Sequence, residues 1–425
     1  MSQKKIAVVG AGIAGLVAAH EFDKVGIQVS VFEKSSTLGG RAKTTNRDSF
    51  NMNLGPHALY NLGALNEYLQ TNSIELTGNF PATKRSAAIY GDKVVDLPVD
   101  VKHLLRTKYL NIFEKLEYAK FFSEVAKIDT EKLMNTTITD WLKNTFKSKK
   151  VRQTVETFIR LSTYGNNPDI FSAGAGIKQL QLALNGVRYL DGGWQKITEA
   201  LMQRLSSNVQ MHFDSAVTAL SSLRQGVTLT VNGNEELFDA VILCVPPNVV
   251  NSLIPGTVTD AVPSYASCLD VCLKKLPNPN TTFALGIDEP LYLSVHSAAA
   301  NLGPTGSAMI HVAYYCGSNQ SEPSHEARLE KMLDQLQPGW REQLVYKRFL
   351  PHMAASFGTP LAKLSGSPGL ESPVLKGIEN VYVCGDFIGK GHQLVDCATQ
   401  SVLDVTEIII NCTQNLDDKL VVLKS

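Results

Sequence analysis

Apolar positions along the chain switch repeatedly between strand and helix periods. Ile6-Ala7-Val8-Val9 is a short apolar run, and Gly10 to Gly15 follow at once. Leu16 to Phe22 has helical spacing, and a second apolar run, Ile27 to Phe32, stops at Glu33. Ala87 to Leu97 reads as a hairpin with a Gly91-Asp92 turn. From about Val101 to Leu184 the pattern is mostly helical, with Thr139-Asp140 as the expected cap of a helix carrying Trp141. Gln195 to Leu205 returns to a helical period. Val209–Phe213, Val227–Val231 and Phe238–Val245 are expected strands, with Asn232-Gly233-Asn234 as a turn and Pro246-Pro247 as a stop. Residues 256 to 370 alternate like strands around one helix, Glu326 to Leu336. Val381 to Cys384 is a buried strand leading into Gly385-Asp386, and a last helix is expected from about Val395 to Ile410.

The first forty-four residues add chemistry to this pattern. Strand, glycine turn, helix, strand and acid stand in dinucleotide-binding order. Gly10 permits the tight turn, Gly12 lets a pyrophosphate approach the backbone, and Gly15 lets the helix pack on the sheet. The helix opening at Ile13-Ala14 points its N–H groups and positive dipole end at the phosphates. Glu33 stands at the tip of the second strand, where a carboxylate accepts ribose hydroxyls and repels a 2′-phosphate. Gly39-Gly40-Arg41 is a second phosphate-cradling turn followed by a cation. Two such turns shift the expected cofactor from a nicotinamide to FAD.

Bulk properties narrow the field. At 425 residues the chain is expected to form two domains. Lysine plus arginine equals aspartate plus glutamate, at 40 each, which gives no reason to expect nucleic acid as a partner. No apolar stretch approaches the roughly 18 residues of a membrane span, and no signal peptide precedes the first strand, so the expected location is cytoplasmic. The seven cysteines include no Cys-x-x-Cys, which suits buried thiols in a reducing compartment. The histidines show no metal-ligand spacing, and no Gly-x-Ser-x-Gly turn is present.

The Gly10–Gly15 turn, Glu33, Leu38-Gly39-Gly40-Arg41, Tyr189-Leu190-Asp191-Gly192-Gly193 and Val383-Cys384-Gly385-Asp386 occur in one order. In this the chain resembles the superfamily of FAD-dependent amine oxidases, protoporphyrinogen oxidases and phytoene desaturases. Asn53-Leu54-Gly55-Pro56-His57-Ala58-Leu59-Tyr60 is most similar to the phytoene-dehydrogenase-related and protoporphyrinogen-oxidase-like branches. The resemblance implies an α/β and α+β fold, with a Rossmann-like FAD-binding domain of the GR2 type interleaved with a mixed helix-plus-sheet substrate domain. The expected FAD-binding segments are 1–60, 187–255 and 372–415; the substrate domain takes 61–186 and 256–371, and 416–425 form a tail. FAD contacts are implied at Gly10, Gly12, Ile13, Ala14, Gly15, Glu33, Lys34, Gly39, Gly40, Arg41, Gly55, Pro56, His57, Val217, Cys244, Gly385, Asp386, Leu394 and Val395. Asp386 would accept a ribitol hydroxyl, and the last helix would aim its positive end at the flavin pyrimidine edge. The superfamily's usual Ser-Gly in that helix is replaced here by Ser401-Val402.

Flavin accepts a hydride at N5, so the protein's part is position and electrostatics. The candidates for lining the reacting centre are His57, Tyr60, Tyr164, Tyr292, His296 and His392. The expected activity is oxidation of a C–C or C–N bond in a mostly apolar small molecule, with oxygen or another acceptor reoxidising the flavin. Amine oxidation is an alternative, for which Lys274 or Lys275 would be a lysine near N5; protoporphyrinogen oxidation is another. A flavin-binding redox sensor without turnover and a nicotinamide dehydrogenase complete the alternatives. The mixed helical stretch Lys102 to Lys127 reads as a solvated surface.

Overall fold

The computed structural model describes residues 4–223, 225–318 and 325–422. The chain divides into two compact units. The first combines Met1–Lys43, Ile197–Ala261 and Pro368–Ser425; the second combines Thr44–Lys196 and Val262–Ser367.

The first unit is built on a five-stranded parallel sheet in the order Val209–His212, Gln28–Phe32, Lys5–Val9, Ala240–Leu243, Val381–Val383. The central strands read as apolar runs because both sheet faces are covered there; Ile6, Ala7, Val8, Val241, Ile242 and Leu243 are fully buried. The helix Ile13–Lys24 packs against the last helix, Leu394–Val422. That helix runs on through most of the segment read as a tail, as far as Val422, and Leu423 lies outside the described residues. A separate three-stranded antiparallel sheet, Val217–Leu223, Gly226–Val231 and Asn234–Phe238, extends the unit. Its outer strands escape the hydrophobic pattern because Glu235, Glu236, Ser221 and Ser222 carry no apolar alternation. The strand predicted over 238–245 is only Ala240–Leu243, and Pro247 opens a helix instead of merely ending the strand.

The second unit holds a seven-stranded sheet in the order Leu344–Ser356, Ser264–Leu273, Ala308–Gly317, Leu291–Val295, Phe283–Gly286, Ser86–Tyr90, Lys93–Val95. Side chains alternate between its faces. Leu269, Val271 and Leu273, with Ile310, Val312, Leu291 and Leu293, meet the helix Glu326–Leu336. The opposite face carries Cys268, Ala313, Tyr315 and Tyr292 toward the helical layer of Tyr118, Phe121, Trp141, Phe158 and Ile177. Asp270, His311 and Ser294 have the same strand parity as that second set. The helix carrying Trp141 spans Ile138–Thr145 and is capped by Thr137, not Thr139: the Thr137 hydroxyl accepts the Asp140 N–H at 3.1 Å.

Candidate functional site

In the first unit, three loops meet at the carboxyl ends of the central strands. Gly10 takes φ +103°, and a Cβ there would stand 2.5 Å from the Cys244 carbonyl oxygen. A Cβ on Gly15 would lie 1.8 Å from the Gly10 carbonyl oxygen, so only glycine fits where the helix crosses the turn. A Cβ on Gly12 meets no protein atom within 4 Å. The space that glycine leaves open is therefore the space a pyrophosphate needs. Gly12 caps the helix Ile13–Lys24 without a side-chain bond, and the first turn holds no acid, so nothing offsets the positive end.

The neighbouring groups are tied to this turn. The Gly39 N–H donates to the Ala11 carbonyl at 2.8 Å, which brings the second glycine turn against the first. The buried Glu33 carboxylate accepts the Ala11 and Ser35 N–H groups, both at 2.9 Å, leaving acceptor capacity for hydroxyls. The Ser215 N–H bonds the Glu33 carbonyl at 2.9 Å, so the segment entering Val217 runs beside the acid. Lys34 is exposed. The Arg41 guanidinium donates to buried Asp386 at 2.7 Å, joining the second glycine turn to the Gly385-Asp386 loop. The Ser401 hydroxyl accepts the Gly385 N–H at 3.1 Å, which docks the last helix without a Ser-Gly pair. Leu394 opens that helix in a left-handed conformation, φ +56°, an uncommon strain for a branched residue. Asp396 already sits in its first turn and offsets part of the positive end expected there. His392, half-buried, lies in the loop before it.

The other five candidates lie in the second unit. His57 bonds the Gly55 carbonyl through Nδ1 at 3.0 Å and packs on Trp194, with ring centres 4.8 Å apart. Gly55 is needed where it stands: φ is +75°, and a Cβ would press on Met353 and the Cys268 sulfur. The Tyr60 hydroxyl donates to the Ser162 carbonyl at 2.5 Å and acts as a strut to the helix Lys149–Thr163. Tyr164 ends that helix at φ +56° and meets Tyr315 edge to face. Tyr292 bonds His296 Nε2 at 3.1 Å, and Tyr189 bonds both Tyr292, at 3.3 Å, and Ser294, at 3.1 Å. Tyr189 also stacks flat on His296, 3.8 Å between centres.

These tyrosines and His296 stay uncharged. Burial, with His311 and His57 nearby, holds His296 well below the ordinary histidine range. Burial also pushes Tyr164, Tyr189, Tyr292 and Tyr315 above the ordinary tyrosine range. The fully buried Asp270 carboxylate comes near through His311. It accepts His311 Nδ1 at 2.6 Å and Arg348 Nε at 3.0 Å, so its charge is already matched. Arg348 also reaches the Asn53 carbonyl. Sequence reading missed Asp270, His311 and Arg348; the available signal was a charge inside the apolar run Cys268-Leu269-Asp270-Val271-Cys272. It also passed over Tyr189 as a side chain, although it quoted the surrounding motif. Lys274 and Lys275 are exposed just beyond the end of the strand Ser264–Leu273.

Residues 13–409 match the family model for flavin containing amine oxidoreductases. The chain belongs to that family. Similar proteins include 4,4'-diapolycopen-4-al dehydrogenase of Metabacillus indicus, 24% identical, with 91% of this chain and 93% of that protein covered. Among solved structures, putrescine oxidase bound to putrescine superposes with TM-score 0.72 at 19% identity, covering 96% of this chain and 99% of the other. An oxidoreductase from Methanosarcina mazei superposes with TM-score 0.71 at 17% identity, covering 95% and 100%. This flavin amine oxidoreductase is thus an FAD-dependent enzyme acting on a small molecule, with an acceptor to reoxidise it. Bound FAD supplies a two-electron acceptor. Among the described residues, no helix is long and apolar enough to cross a membrane, and no group of histidine, cysteine, aspartate or glutamate forms a metal site.

Proposed function

We propose that this flavin amine oxidoreductase dehydrogenates a C–C bond of an apolar, uncharged small molecule. The observation that carries the reading is the buried face of Tyr164, Tyr189, Tyr292, Tyr315 and neutral His296, with the nearby Asp270 carboxylate bonded by Arg348 and His311. Such a wall offers rings and hydroxyls, and no net charge for an ammonium. The similarity to 4,4'-diapolycopen-4-al dehydrogenase supports an apolar substrate.

In this reading Gly10, Gly12, Gly15, Glu33, Gly39, Gly40, Arg41, Val217, Cys244 and Asp386 hold FAD. Tyr189 and Tyr292 fix the orientation of His296 through the stack and the Nε2 bond, and the aromatic face keeps water away from the reacting carbon. The free thiols of Cys244, Cys268, Cys272, Cys316, Cys384 and Cys397 fit a reducing, cytoplasmic setting.

Anaerobic titration of the FAD-loaded enzyme with polyenes, primary amines and porphyrinogens, followed by bleaching of the flavin band, tests the proposal. Polyenes are expected to bleach it and amines to leave it oxidised. Bleaching by amines alone would overturn the reading.

A further inference from the structure

Two cysteines far apart in sequence stand side by side at the carboxyl ends of the parallel sheet. The strands Ala240–Leu243 and Val381–Val383 pair in parallel, with Leu243 opposite Val383. The next residue on each is Cys244 and Cys384. The Cys384 N–H donates to the Leu243 carbonyl at 3.0 Å, so the ladder carries on into that pair. Side chains in register point to one face of a sheet, and neighbouring strands stand about 4.8 Å apart. A disulfide spans Cα separations of about 4.4–6.8 Å. The two side chains already interact: burial first, and then a hydrogen bond with Cys244, hold the Cys384 thiol well above the ordinary cysteine range.

The other free thiols are not so placed. Cys268 and Cys272 share one strand, about 13 Å apart. Cys316 packs on the opposite face of the seven-stranded sheet from Cys268. Cys397 is buried and donates to the Ile388 carbonyl at 2.9 Å. Access divides the pair itself: Cys244 is half-buried, whereas Cys384 is fully buried.

Both cysteines join the loops assigned to FAD. The Cys244 carbonyl is the group a Cβ on Gly10 would strike, so the chain there presses on the first glycine turn. The Cys384 thiol donates to the Ser401 carbonyl at 3.4 Å, and the next residue, Gly385, donates its N–H to the Ser401 hydroxyl at 3.1 Å. Closing a bridge draws the sulfurs to about 2.05 Å and deletes the thiol proton that reaches the last helix. The Gly10 turn and the Gly385-Asp386 loop move with it.

We propose that Cys244 and Cys384 form a peroxide-sensitive dithiol whose closure to a disulfide weakens FAD binding. Hydrogen peroxide is the oxidant. The Cys244 sulfur attacks one peroxide oxygen, the O–O bond breaks, and the thiol proton leaves with the other oxygen as water, giving a sulfenic acid. The Cys384 sulfur then attacks Cys244, gives up its proton, and expels a second water. Two thiols lose two electrons and two protons, and one peroxide becomes two waters. The proposal rests on the FAD site assigned above and not on the substrate. Coupling is reciprocal, so bound FAD protects the thiols.

The full chain, FAD-loaded and FAD-free, is treated with hydrogen peroxide, alkylated, and cut after acidic residues without reductant. Cleavage at Asp239, Asp260, Glu379 and Asp386 releases 240–260 and 380–386, each with one cysteine. The expected product joins these two peptides, two hydrogens lighter than their sum, and dithiothreitol reverses it. It should form more slowly with FAD bound, and the bridged chain should bind FAD about tenfold more weakly. Cys384→Ala should remove the peroxide effect on FAD affinity, and Cys397→Ala should leave it in place. Should Cys384→Ala not fold, the peptide mapped from the parent still decides the bridge. Cys244 taken to sulfinic acid beside an intact Cys384, linkage to another cysteine, or a bridge that leaves FAD affinity unchanged would overturn the proposal. An untreated chain that holds no FAD would overturn the cofactor site instead, which the mapped peptide does not depend on.

Discussion

At the scale of single residues, the glycines of the first turn separate folding from cofactor retention. Gly12→Ala adds a methyl where no protein atom lies within 4 Å. The expected outcome is a chain that folds with a loss of no more than about 1 kcal/mol and binds FAD at least about tenfold more weakly. Gly15→Ala, whose Cβ would lie 1.8 Å from the Gly10 carbonyl oxygen, should fail to fold normally. Thermal melts with and without added FAD, beside flavin content after gel filtration, check both. In the second unit, Tyr292→Phe removes the hydroxyl that joins Tyr189 to His296. It should cost about 1–2 kcal/mol in stability and slow flavin reduction about tenfold by releasing the imidazole. Stopped-flow reduction without oxygen would measure the second effect; an unchanged rate would reduce Tyr292 to a packing role. Glycines and Glu33 were legible in the sequence because local backbone geometry dictates them. Asp270, His311 and Arg348 were not, because their meeting depends on register between strands some forty and eighty residues apart.

At the scale of elements, caps and pairings decide what patterns leave open. The helix Ile112–Glu124 begins with a reciprocal capping box between Asn111 and Glu114. Asn111→Ala should cost about 1 kcal/mol, read as a lower urea midpoint at constant slope. The sequence placed the helix Glu326–Leu336 at its observed bounds because its apolar period is clean and its buried stripe, Leu329, Met332, Leu333 and Leu336, is unbroken. The strands Val217–Leu223 and Asn234–Phe238 went unseen because their hydrogen bonds come from the antiparallel partner between them, not from an apolar stripe of their own. The helices at 101–124 read as merely solvated because their cations are evident in the sequence, whereas the exposed apolar side of Ile112, Phe113 and Leu116 shows only once Tyr118 and Phe121 are seen to fill the other side.

For the whole molecule, buried neutral histidines set an acid limit. His296 is held low in the fold by burial, whereas in the unfolded chain it titrates near pH 6.5. As pH falls below about 6.5, the unfolded chain takes up a proton that the folded chain refuses. Stability then drops by as much as about 1.4 kcal/mol per pH unit for this group, until the folded value is reached. His20 in the first unit, also lowered mainly by burial, adds to the same trend. Glu330, held low by Lys347, acts in a separate window below about pH 4.5. Melts of His296→Gln between pH 7 and 5 should show a shallower decline than the parent, with the His20 part remaining. An identical decline would place the acid sensitivity elsewhere.

The five-stranded sheet gathers its strands from three distant stretches, and its edge strand Val381–Val383 and the helix after it are made late. During synthesis, at roughly 5–20 residues per second, the glycine turn at residues 10–15 leaves the ribosome early. Asp386 and the helix that covers Ile13–Lys24 follow only after residues 16–385 have been made. Nascent chains are therefore expected to carry an open nucleotide turn throughout that interval. FAD capture then waits for Asp386 and the helix after it, so limiting flavin supply should leave protease-sensitive chains instead of arrested fragments.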